Sequence, residues 1–194
     1  AVTTASNNTA LGNHAGLGIT TGADNIAIGY QAIDAADTEG NNLAIGKAAL
    51  GGSVAGGEFN VALGNFALFS LTSGDNNTAL GYQAGSELTT GGSNTLIGHK
   101  AGDAMTSGGS NTAVGRDALG SATDSSANVA FGYGALRDNT GGSSNTALGY
   151  LTLEENISGG RNLAVGFQAL ENPDTENDNL AIGYEALGGA IAGG

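Results

Sequence analysis

The sequence predicts an all-β chain folded as a parallel β-solenoid of eleven coils of roughly 17 residues. Three observations carry this expectation. First, one five-residue phrase recurs eleven times: Asn, then Thr or an aliphatic, then Ala (once Leu), then an apolar residue, then Gly. Second, its middle three residues alternate in the period of two that marks a strand. Third, the stretches between phrases are rich in Gly, Ser, Thr, Asn and Asp, as in Thr89-Thr90-Gly91-Gly92-Ser93, which is turn chemistry. The closing glycines are Gly12, Gly29, Gly46, Gly64, Gly81, Gly98, Gly115, Gly132, Gly149, Gly166 and Gly183, stepped by 17 residues except for 18 between Gly46 and Gly64. The array fills the chain, so residues 1–194 read as a single domain.

Each coil reads in the same order. The second and fourth residues of the phrase are Thr or aliphatic and aliphatic or Phe, and they are expected to point inward. The middle Ala column is then expected to face outward. Solvent would tolerate Lys or Glu there, so a column of small residues suggests a close-packed second surface. Three residues after the glycine stands another Ala (once Thr152), followed by Leu, Ile or Gly. This pair is expected to form a second short strand or extended segment. The extra residue of the 18-residue step is expected in a turn near Gly51 to Glu58.

Seventeen residues cannot bury a core alone, but stacked coils can pair parallel strands from one coil to the next. At ~4.8 Å per coil the array would be a rod roughly 50 Å long. The Asn column (Asn8, Asn25, Asn42, Asn60, Asn77, Asn94, Asn111, Asn128, Asn145, Asn162 and Asn179) is expected to stack as a structural ladder, each amide bonding to the coil above or below. The Gly column marks a corner where a side chain would clash or φ is positive.

Composition excludes several roles. Forty per cent hydrophobic residues with a strict period argue against disorder. The net charge of −13 and five scattered bases argue against nucleic acid and anionic lipid as partners. No stretch is long and apolar enough for a membrane span, and no signal peptide is seen. The chain has no cysteine, which removes disulfides and thiolate metal sites.

All five tyrosines (Tyr30, Tyr82, Tyr133, Tyr150 and Tyr184) directly follow a repeat glycine. They form a candidate contact stripe for a glycan or a surface, or else pack at a corner with the hydroxyl in water. The same column accepts Lys47 and Arg116, whose stems can cover the same surface. Acids gather near the C-terminus. Glu154 and Glu171 hold equivalent places in adjacent coils, with Asp174, Glu176 and Asp178 nearby. Calcium would be the cation to suit such a group, and a solvated, salt-screened face is the plainer reading. No other cofactor is suggested. His14 and His99 lie five coils apart, no phosphate-binding loop is present, and no carboxylate pair is singled out. The expectation is a protein that is not an enzyme.

Phrases such as Asn77-Thr78-Ala79-Leu80-Gly81-Tyr82-Gln83-Ala84 and Asn25-Ile26-Ala27-Ile28-Gly29-Tyr30-Gln31-Ala32 resemble the head repeats of trimeric autotransporter adhesins, and the repeat regions of phage tail fibres and large bacterial surface proteins. The resemblance covers about residues 7–188. It implies a left-handed β-roll, assembled as a homotrimer with small residues at the chain contacts. The adhesin-head repeat is usually shorter than 17 residues, and no anchor, stalk or chaperone segment accompanies the array here. The family's binding residues therefore do not carry over.

Ala1 and Gly194 both fall within the variable turn, and the tail from Gly188 carries no charge. Open solenoid ends invite strand pairing, so a head-to-tail filament is a second expected mode of self-association. The leading expectation is an extracellular structural or adhesive fibre segment, on a cell surface or a virion, presenting a rigid acidic surface to a glycan or protein receptor. The alternative is an ice-binding or glycan-binding solenoid. Ice binding needs an outward Thr ladder, and the column holding Thr9, Thr78, Thr95, Thr112 and Thr146 is here read as inward.

Overall fold

The computed structural model describes residues 4–35, 38–52, 57–172 and 175–189. Among these lie eleven three-residue strands, from β1 (Thr9–Leu11) to β11 (Leu180–Ile182), one per repeat phrase. They form one parallel sheet in sequential order. Register is strict: Thr9 pairs with Ile26, Ala10 with Ala27 and Leu11 with Ile28, and equivalent phrase positions pair in the same way up to Leu180. The chain is a β-solenoid, as the repeat period predicts.

The 18-residue step leaves the register intact. Leu43 pairs with Val61, and the Leu50 N–H donates to the Ala67 carbonyl as at equivalent places elsewhere. The Asn42 amide reaches a carbonyl 15 residues on rather than 14. The extra residue therefore lies between Leu50 and Gly57, partly outside the described residues.

The second strand expected after each glycine does not form. That segment is a run of turns. Its backbone takes positive φ at two places per coil, such as Ala48 (54°) and Leu50 (48°), with a third just before the ladder Asn, as at Asn41 (61°). Left-handed residues bend the chain where a strand would extend it. The turns still bond coil to coil, for example Gln31 N–H to the Asn13 carbonyl at 3.0 Å.

The strand faces are the reverse of the sequence expectation. The middle Ala column points inward: Ala27, Ala44, Ala62, Ala79, Ala113, Ala130, Ala147 and Ala164 are fully buried. The first and third strand residues point outward, leaving Leu80, Phe131 and Leu148 about half exposed at 45%, 51% and 45%. The reason is the width of the coil. Its interior must also hold Leu50, Leu68, Leu119, Leu136, Leu153 and Leu170 from the turn, all fully buried. Facing positions in a thin core pair a large side chain with a small one. The one exception in the Ala column obeys the same rule, because Leu96 stands where the turn positions are Gly85 and Gly102.

The repeat glycines are required by close approach. A Cβ on Gly12 or Gly29 would stand 2.6 or 2.5 Å from the carbonyl oxygen of the next repeat glycine. Their φ values near +135° also disfavour any side chain.

Candidate functional site: the outward ladders

Every outward feature of this molecule is a ladder, because each position recurs once per coil. The broadest is the outer face of the sheet. Its two outward columns run Thr9, Ile26, Leu43, Val61, Thr78, Thr95, Thr112, Val129, Thr146, Leu163, Leu180 and Leu11, Ile28, Ile45, Leu63, Leu80, Ile97, Val114, Phe131, Leu148, Val165, Ile182. No charged residue interrupts either column. At strand spacing the face is roughly 50 Å by 10 Å, on the order of 500 Å². That matches the largest apolar patch of an ordinary monomer, and such patches are commonly functional.

Beside it runs the column that follows each glycine. Tyr133, Tyr150, Phe167 and Tyr184 form a continuous stack, with ring centroids 5.1, 5.2 and 5.3 Å apart and interplanar angles of 12°, 4° and 7°. Arg116 caps it, 5.8 Å from the Tyr133 ring. Earlier in the column Tyr82 stacks on His99, while Tyr30 stacks on His14 and Lys47 lies over Phe66, two rings of the neighbouring position. The five tyrosines of the expected contact stripe are therefore aligned, in separate groups. Rings stacked on one another offer solvent their edges and hydroxyls rather than their faces. A sugar needs a free ring face for stacking, and the ladder consumes most of them.

The Asn column lies inside. From Asn25 to Asn179, each backbone N–H donates to the side-chain oxygen of the preceding ladder Asn at 2.8–3.0 Å. From Asn8 to Asn162, each side-chain amide donates to a turn carbonyl at 2.8–2.9 Å. Side chain to side chain bonds occur only in places, such as Asn94 to Asn77 at 3.0 Å. The ladder serves mainly to tie backbone to backbone. Its role is architectural, since the middle of the column is buried.

The acidic residues are dispersed. Glu154 is buried against Arg137, whose guanidinium reaches its carboxylate at 2.5 Å and that of Asp138 at 3.0 Å. Burial pushes the Glu154 carboxyl above the usual range, with Arg137 opposing. Glu171 accepts a hydrogen bond from the Gln168 amide. Asp178 pairs with exposed Arg161 at 2.6 Å, and this hydrogen bond lowers its pKa. Glu176 sits in a different column, and Asp174 lies outside the described residues. Among the described residues no group of three or more His, Asp or Glu could hold a metal ion. The cation that meets Glu154 is Arg137, one coil before it and on the side away from Glu171. No described helix is long and apolar enough to cross a membrane.

Two features escaped the sequence reading. Thr72, Thr89, Thr106, Thr123 and Thr140 form a second Thr ladder on the turn side, each hydroxyl donating to the carbonyl of the next rung at 2.8–3.2 Å. Its signal was a Thr eight residues after five consecutive repeat glycines. The other is a polar break in the core. Asn139 and Asn156 are fully buried in the column that Leu71, Leu88 and Met105 occupy elsewhere, and the Asn156 side-chain oxygen has no hydrogen-bond partner.

No family model matches this chain, and neither curated proteins nor solved structures provide a match.

Proposed function

We propose that this chain is an extracellular structural or adhesive fibre segment that self-associates side by side, as in a homotrimer, through the outer face of its sheet. The observation that carries the reading is the uncharged outward double column from β1 to β11, aliphatic or Phe throughout in one column and aliphatic or Thr in the other. A monomer commonly guards an exposed strand surface with charge, and this face has none. A second copy presents the same straight ladder at the same spacing, so large and small rungs can interdigitate along the whole length. Association through the Ala column, suggested by the sequence, is replaced, because those alanines fill the coil interior. The acidic, turn-rich remainder then faces solvent and is the surface for any receptor. The resemblance to adhesin heads and tail fibres supports side-by-side self-association, with aliphatic residues at the contact in place of the small residues it implied.

Light scattering and sedimentation of the chain test the proposal. Wild type should associate, and Leu80→Lys with Leu148→Lys should be monomeric with unchanged β circular dichroism. A wild-type monomer at high concentration would overturn it.

A second reading, binding to ice or another crystal lattice, is supported by a specific geometry. The column of Thr78, Thr95 and Thr112 points outward rather than inward, at regular strand spacing. Thermal hysteresis from a monomeric chain, lost in Thr95→Lys, would favour this reading over the fibre.

A further inference from the structure

We propose that Tyr133 and Tyr150 are an oxidative cross-linking site, joined as dityrosine by a one-electron oxidant such as a haem peroxidase with hydrogen peroxide. Three observations meet here. Tyr133 and Tyr150 are the only tyrosines in adjacent coils, since Tyr30, Tyr82 and Tyr184 have no tyrosine one coil away. Their rings are stacked with centroids 5.1 Å apart and planes 12° from parallel, which holds the two phenols side by side. The two residues are 38% and 46% exposed, which leaves them open to an oxidant.

The rest of the chain directs oxidation to this pair. It has no Cys and no Trp, and its single methionine, Met105, is fully buried. Tyrosine is then the most readily oxidised exposed side chain. Phe167 separates Tyr150 from Tyr184 within the stack, so coupling stops at the first pair.

Each phenol gives one electron and its hydroxyl proton to the oxidant. The two phenoxyl radicals carry spin on their ortho carbons and join there by a carbon–carbon bond. The hydrogen on each joined carbon then moves to the phenolic oxygen, restoring both rings. Overall, two tyrosines and one hydrogen peroxide give one dityrosine and two waters. The product clamps two coils across the part of the core that Asn139 and Asn156 make polar. This inference does not depend on what the apolar face binds.

The test treats dilute chain with a haem peroxidase and limiting hydrogen peroxide. Expected are dityrosine fluorescence, single-chain mobility on a denaturing gel, a mass loss of two hydrogens, and one linked peptide pair containing Tyr133 and Tyr150. Tyr150→Phe should abolish the intrachain link and Tyr184→Phe should leave it. Phe167→Tyr should add links to its neighbours. The cross-linked chain should melt at a higher temperature. Links scattered among all tyrosines, links found only between chains, or equal intrachain yield from urea-unfolded chain would overturn the proposal.

Discussion

Leu96 occupies the space that a side chain on Gly85 would need: a Cβ on Gly85 would lie 2.7 Å from a Leu96 methyl. Gly102 on the following coil stands in the same relation, at 2.9 Å. The interior thus keeps its volume by trading a turn Leu for a strand Leu. We expect Leu96→Ala to cost about 2–5 kcal/mol through the cavity it leaves. The triple change Leu96→Ala, Gly85→Leu, Gly102→Leu rebuilds the pattern of neighbouring coils and should recover most of that loss. Chemical denaturation would check both, and no recovery in the triple variant would refute the volume exchange.

Asn94 ties three coils. It accepts from the Asn111 N–H and donates to the Gly108 carbonyl and the Asn77 side chain. Asn94→Ala strands these buried partners, and each unmet group costs about 1–3 kcal/mol. The expected loss is about 3 kcal/mol. A midpoint shift corresponding to under ~0.5 kcal/mol would mean the ladder contributes little to stability.

Asn139 and Asn156 should be removable together. The carbonyls of Gly142 and Gly159, to which they donate, also accept from Asn128 and Asn145. Replacing both with Leu, the residue at positions 71 and 88 of this column, removes an orphan oxygen and strands no carbonyl. We expect a gain of about 1–2 kcal/mol. Asn156→Leu alone should gain less, because it leaves the Asn139 oxygen without its donor. Thermal unfolding of the two variants separates these outcomes.

Ala127 holds φ at +58° on the exposed side of the chain. An L-residue other than Gly or Asn pays about 1–2 kcal/mol there. Ala127→Gly should therefore stabilise by about 0.5–1 kcal/mol despite the entropy of glycine in the unfolded chain. A lower melting temperature would contradict the assigned geometry.

Acid should stabilise this fold before it harms it. Burial raises the carboxyls of Glu154 and Asp103 above their unfolded values. The folded state then binds more protons than the unfolded state, so stability rises as pH falls from neutrality through their raised folded pKa values. Relief of the net charge of −13 acts in the same direction. Asp178, whose pKa is lowered by Arg161, opposes this only below its unfolded pKa. Melting temperatures across that range test the sign, and Glu154→Gln should flatten the slope.

The repeat was legible because stacking forces every coil to carry the same residues at the same places. The strand positions, the Asn column and the site of the 18-residue step all follow from that period. The tyrosine column was visible for the same reason. What periodicity alone left open was which face of the strand points inward. Alternation marks two faces and does not say which is buried. Hydrophobicity suggested the aliphatic columns, but the coil is too thin to hold them opposite Leu50, Leu68 and their equivalents, so the alanines go inside. The second strand failed for a related reason, because the left-handed φ at Ala48 and Leu50 is dictated by closing a narrow coil and is marked in residue type only where glycine holds the place, as at Gly16, Gly85, Gly102 and Gly134. The sequence by itself determined the period, the sheet and its register. The tertiary structure decided the polarity of that sheet, and with it which surface is left for a partner, because the width of the closed coil selects the column that fits.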